Sequence, residues 1–164
     1  MVLSGIKLSG RAAFLLVSLV TGLMLLSLNL QEKLSQETAE VMPLFAKMEK
    51  NATILPLMLD SSAAGLDPVF FEFHKHEPSY YHIFVGGGAT PALFSSPLLP
   101  VQYKPGIILP VPSDPGPASL EAYAPYYRYL LIRGGPDIYI WELSHYYNLA
   151  GRSGKWSLFE SPVL

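Results

Sequence analysis

Three histidines crowd the stretch FEFHKHEPSYYHIFVGGGA, residues 71–89: His74, His76 and His82, with Glu77 between them. Imidazole is the commonest transition-metal ligand, and an H-x-H pair on an extended segment points both rings to one side. His74, His76 and His82 are therefore the candidate metal ligands of this chain. No HExxH pattern supports them, and His145 has no ligand-type spacing to the three. The plainer reading, histidines of a loop and helix start that face solvent or bond carbonyls, is preferred, and neither a metal nor another cofactor is expected.

Gly86, Gly87 and Gly88 raise the question of phosphate. A phosphate cradle needs a glycine loop followed by a helix whose amides face the anion. Here the glycines follow an expected helix, and neither a P-loop nor GxGxxG is present. A helix C-cap is the better account. Nucleophilic catalysis finds no GxSxG, and the carboxylates show no close pairing for acid/base work. Ten tyrosines include the pairs Tyr80-Tyr81, Tyr126-Tyr127 and Tyr146-Tyr147. Aromatic rings can stack on sugars or sit at a membrane interface, so Tyr126 and Tyr127 are the candidate ligand-binding residues; a core of large rings with hydroxyls at its rim is the plainer alternative. Asn51-Ala52-Thr53 matches the glycosylation sequon, a tripeptide too common to decide anything.

The elements that would carry these residues are short. TILPLML (53–59) is a nearly continuous apolar run that suits a buried strand, with Pro56 pushing it toward an edge or bulge. Residues 60–68 are a loop. A short helix opens near Pro78, whose fixed φ suits a first helical position, and stops at the glycines. VQYKP (101–105) is a candidate strand, proline and glycine density forbids regular structure over 106–117, and SLEAYAPYY holds at most one helical turn. YRYLLIRG (127–134) is the clearest strand. A second helix begins near Pro136, with Asp137 in its favourable first turn. YNLAGRSGKWSLFES closes the chain as a hairpin, arms 146–150 and 155–160, whose second arm alternates as a strand with one face buried. That order predicts an α/β (or α+β) fold: a small layered domain with short helices, a few strands and a C-terminal β-hairpin.

The chain of 164 residues allows one such domain plus an appendage. Charged residues make up 15%, against about 25% in typical soluble domains, which points to a membrane-linked protein. A net charge of −2 gives no electrostatic case for nucleic acid, and the absence of cysteine excludes disulfides and thiolate chemistry. Residues 12–30, AAFLLVSLVTGLMLLSLNL, hold 19 positions without charge, close to the ~20 apolar residues that span a bilayer. Lys7 and Arg11 precede them and Glu32, Lys33, Glu37 and Glu40 follow, so the positive-inside rule predicts a single-pass inner-membrane protein with its N-terminus inside and its C-terminal domain periplasmic or extracellular. The run is long for a cleaved signal peptide and lacks a small-x-small exit. The expected organisation is a cytoplasmic N-terminus (1–11), a transmembrane helix (12–30), a helical linker (31–50) broken at Pro43, and an extracytoplasmic α/β domain (51–164).

One span, an apolar strand (NATILPLMLD), a histidine-bearing segment running into helix and glycines (FHKHEPSYYHIFVGGGATPALF), a V-x-Y strand (VQYKP), a strand ending in Arg-Gly (YRYLLIRG) and a hairpin of form Y-x-L-x-x-x-S-G-x-W-x-L-F (YNLAGRSGKWSLF) follow one another. This order resembles the extracytoplasmic C-terminal region of bacterial polytopic membrane proteins related to the GT-C glycosyltransferases, which include protein mannosyltransferases and lipid A aminoarabinose transferases using polyprenyl-phosphate sugars. The resemblance covers about residues 12–164 through loose, structural motifs. In that superfamily the catalytic acids lie in a loop of a many-span body that has no counterpart here, so no catalytic residue is carried over. The resemblance implies a module that is not catalytic alone, truncated or split from its catalytic body or surviving as a relic. Its partners would be the lipid bilayer, a multi-span glycosyltransferase body or a lipid-linked sugar. The alternative is a single-pass membrane-anchored binding or assembly protein that recognises a glycan or a protein partner.

Overall fold

Helix α1, Gly10–Ala39, extends for 30 residues, or about 45 Å at 1.5 Å per residue, and none of its residues is buried. An 18-residue window within this helical stretch has a mean hydropathy of 2.2. In length and composition it is a membrane span, a test that a signal sequence also meets. The computed structural model describes residues 10–62, 77–91, 109–110 and 116–163. It divides into two compact units, Met1–Gln36 and Glu37–Leu164.

The second unit is built on a four-stranded mixed sheet of order β1-β2-β4-β3. Strand β1 (Ile54–Met58) runs parallel to β2 (Tyr129–Arg133), and β4 (Trp156–Glu160) is antiparallel to both β2 and β3 (Asn148–Ser153). The fold is therefore mixed α/β, with short helices α2 (Met42–Phe45), α3 (Pro117–Leu120) and α4 (Asp137–Leu143) around the sheet and the expected hairpin at the C-terminus. The strand expected at 101–105 lies outside the described residues.

Period-two alternation gives the sheet two apolar faces, and both are covered. On one face Ile54, Tyr129, Leu131, Trp156 and Leu158 pack with Val41, Leu44 and Phe45 around α2 and with Tyr81. On the other, Leu55, Leu130, Ile132 and Phe159 pack with Leu120 of α3 and with Ile140 and Leu143 of α4. This differs from two sequence expectations. The first four residues of β4, Ser157 included, are buried, so the strand is not half solvated. Residues 37–50 do not merely link: Val41, Leu44, Phe45 and Met48 are core, and the sheet unit starts at Glu37. The chain breaks its helix at Glu40–Val41 and restarts as α2 with Pro43 in the first turn, where a missing amide is harmless.

Pro56 occupies the edge strand for a reason visible in the ladder. Ile54 N donates to Ala89 O at 2.9 Å, away from β2, and amide direction alternates along a strand. Position 56 therefore also faces outward, and proline removes no bond to β2. The histidine-bearing segment is described from Glu77 on: a 3₁₀ turn (Glu77–Ser79) passes through Tyr80 and Tyr81 into a π turn (His82–Gly86), a short helical stretch of mixed geometry where one was expected. It ends at glycines with φ of +89°, +76° and +92°. At Gly88 a side chain would strike Ala52 O and the Tyr81 ring.

Candidate functional site

Both parallel strands end at the same side of the sheet, at Met58 and Arg133, and the β3–β4 turn Gly154–Lys155 returns to that side because β4 is antiparallel. In open α/β sheets the carboxyl ends of parallel strands are where ligands bind, since loops diverge there and leave a crevice. A cleft of about 320 Å³ opens at this place, lined chiefly by Asp60, Gly134, Gly135, Asp137, Arg152 and Lys155.

Backbone geometry holds its walls. Leu59 N and Asp60 N both donate to Arg133 O at 3.0 Å, and Gly134 N donates to Lys155 O at 2.8 Å. Gly134 and Gly135 have φ of +76° and +94°; a side chain at the first would overlap the Asp60 side chain, and at the second would lie 2.8 Å from Leu59 Cδ1. The glycine pair is thus what lets the end of β1 close against the end of β2.

The cleft carries charges of both signs in two pairs of different quality. At its floor, Lys155 Nζ lies 2.9 Å from Asp60 Oδ2 and donates to Ser62 Oγ at 3.1 Å, while Ser62 N donates to Asp60 Oδ1 at 2.8 Å. Burial acts to raise the Asp60 carboxyl, but the bonds from Ser62 and Lys155 outweigh it and hold the group well below the usual carboxylate range. At the rim, Arg152 and Asp137 stand 3.6 Å apart, and the Asp137 side chain is 98% exposed. Such an exposed pair contributes little and is easily replaced by a ligand's own charges or hydroxyls.

Arg133, the last residue of β2, lies on the far side of Asp60 with its side chain 0% exposed. Its NH1 donates to Asp60 O at 2.5 Å and its NH2 to Glu37 Oε2 at 3.0 Å, while Nε has no hydrogen-bond partner among the described residues. The guanidinium carbon sits 5.9 Å from the centroid of the Trp156 ring. Two acids and two bases line the cleft itself, so it offers donors and acceptors without a one-signed field. That suits a polar ligand held by hydrogen bonds better than a densely charged one.

The residues singled out from the sequence fall elsewhere. His74 and His76 lie outside the described residues. His82 is half-buried in the π turn, where its Nδ1 donates to Gly87 O at 2.8 Å and so ties the turn to the glycines. Tyr126 is 50% exposed, whereas Tyr127 is fully buried and its hydroxyl donates to Pro110 O at 2.5 Å. The two rings are not presented together. Tyr81, Tyr127, Tyr129 and Tyr147 are all core rings with hydroxyls on backbone groups, as a tyrosine-rich core requires.

Asp60, Asp137, Arg152 and Lys155 were legible only as loop, helix-start and turn residues. Their common signal is position: each follows or begins an expected strand or helix. The parallel pairing of β1 with β2, which joins residues 75 apart at Ile54 and Tyr129, and the antiparallel pairing of β2 with β4 together bring them to one place. Compared with protein-family models, with curated proteins and with solved structures, the chain matches none.

Proposed function

We propose that this chain is a membrane-anchored, non-catalytic binding module, the C-terminal extracytoplasmic part of a GT-C-like system that uses polyprenyl-phosphate sugars. In this reading α1 is the anchor, and the cleft at the carboxyl end of β1 and β2 holds the polar head of the lipid-linked donor or the acceptor. The cleft carries the reading. It places carboxylates, cations and a serine around a volume of about 320 Å³, a mixed lining that matches the donors and acceptors of a sugar. The charges about the apolar run, Lys7 and Arg11 before and Glu32, Lys33, Glu37 and Glu40 after, are the basis of the N-in topology in this reading. The full chain in lipid nanodiscs, titrated with a polyprenyl-phosphate sugar, should bind without turnover, and Lys155→Ala should weaken binding at least several-fold. Robust sugar transfer by this chain alone would overturn the non-catalytic assignment.

A second reading, an anchored assembly protein docking a glycan or protein partner, is favoured by one observation. Ile138 and Trp141, one turn apart on α4, are exposed, and the Trp141 ring stands edge-on to His145, at 4.5 Å between centroids. Loss of partner or glycan binding in Trp141→Ala or Tyr126→Ala, with cleft binding intact, would select it.

A further inference from the structure

The cleft is tied to the turn by which the chain enters the sheet unit, and the tie runs through charged groups in a closed ring. Arg133 grips Asp60 by its carbonyl oxygen (2.5 Å) and Glu37 by its carboxylate (3.0 Å). Three residues on, the Glu40 carboxylate accepts from Lys155 N at 3.1 Å. The ring closes where Lys155 Nζ meets Asp60 Oδ2 at 2.9 Å, and Glu40 N donates to Glu37 O at 3.2 Å across the turn. Gly154, with φ +53°, completes the fit: a side chain there would overlap the Glu40 carboxylate. Two residues that line the cleft, Asp60 and Lys155, are therefore the same two that hold Glu37 and Glu40, one through Arg133 and one directly.

We propose that this ring is a coupling device: a change at the Asp60–Lys155 floor of the cleft is transmitted through Arg133 to residues 37–45, and a change there is transmitted back. The physical basis is the cost of a half-satisfied buried cation. Arg133 has no exposed side-chain surface and its Nε has no acceptor among the described residues, so it has no water to turn to when Asp60 withdraws. Shifting the Asp60 carbonyl shifts the guanidinium that it holds, and that strains the bond from Arg133 to Glu37. A ligand that takes the Lys155 ammonium or displaces the Asp60 carboxylate acts on one arc of the ring, whatever the ligand is. The inference thus stands apart from the reading of the cleft as a sugar site. Coupling between two places is reciprocal, which supplies the test.

Hydrogen exchange on the full chain in nanodiscs reads both directions. Lys155→Ala removes the ammonium and leaves the backbone amide of position 155 on Glu40, and an Arg133→Met background then separates the route through Asp60 and Arg133 from this direct contact. Exchange at the amides of residues 40–42, 44 and 45 should rise about five-fold or more, the lower end of ordinary coupling. Glu37→Gln, which deletes no packing, should in turn raise exchange at amides 59–62. In an Arg133→Met background both cross-effects should disappear, which separates coupling from general loosening. Faster exchange confined to residues beside each substitution, or cross-effects that persist without Arg133, would overturn the proposal.

Discussion

Arg133 shows how a single position can hold a fold and give it a fault line. Its guanidinium carbon lies 5.9 Å from the centroid of the Trp156 ring, and its nitrogens are shared between Glu37 and Asp60. Breaking a buried ion pair from one side strands the other charge, at a cost of about 3–5 kcal/mol in fully buried cases. Glu37 and Asp60 keep some contact with water, so Arg133→Met should destabilise by about 2–4 kcal/mol in urea unfolding, and Glu37→Gln by less. Two titrations belong to this scale as well. The Asp60 carboxyl is depressed in the folded state, so its contribution is complete above its unfolded pKa of about 4 and is lost as pH falls through the folded value. Asp60→Asn should therefore flatten the acid limb of the stability profile. Tyr147 behaves oppositely: burial, aided by the charge of Glu121, pushes its hydroxyl up to about 12, from 10.0. The folded state then keeps a proton that the unfolded chain gives up. Stability is complete below pH 10 and declines by about 2 kcal/mol as pH rises toward 12, a decline that Tyr147→Phe should lack. None of these roles could be read in the sequence. An arginine ending a strand and an aspartate after one look like solvated residues until a parallel neighbour is laid beside them.

At the scale of elements, much of the fold was legible because local signals agreed with the final packing. TILPLML and YRYLLIRG read as strands from β-rich apolar runs, Pro136-Asp137 as a helix start, and the glycine-flanked turn as a hairpin; β1, β2, α4, β3 and β4 lie there. Pro56 signalled an edge, and the outward-facing amide position explains why it is tolerated. Pro56→Ala should accordingly change stability by less than about 0.5 kcal/mol, the ordinary range for a substitution that breaks no interaction. Gly134→Ala is the contrasting case. With φ +76° and the Asp60 side chain where a methyl would go, it should destabilise by well over about 1 kcal/mol and open the cleft wall. Half-solvation of β4 was misread from its alternation, because a serine at position 157 can be buried once α3 and α4 cover the second face. Leu44 and Phe45, within the expected linker 31–50, are core, since a helix break at Pro43 does not say what the next turn packs against.

For the whole molecule, the apolar helix and the mixed α/β unit are the two facts that any account of function must join. Composition alone foretold the first, through 19 uncharged positions and a charged fraction of 15%. The cleft was not foretold, because strand order is a long-range property: β1 and β2 are neighbours in space but separated by more than seventy residues in sequence. Of the candidate ligands His74, His76 and His82, only His82 lies in the described structure, as a tie for a turn. The central claim, that the cleft at the carboxyl end of the parallel strands is the binding site of a non-catalytic anchored module, is tested most directly by one spectrum. The full chain, isotope-labelled and reconstituted in nanodiscs, is titrated with a polyprenyl-phosphate sugar and followed by amide resonances. Saturable shifts centred on Asp60, Gly134, Gly135, Arg152 and Lys155, with the sugar recovered unchanged, are the predicted result. Shifts that bypass these residues, or conversion of the donor, would contradict it.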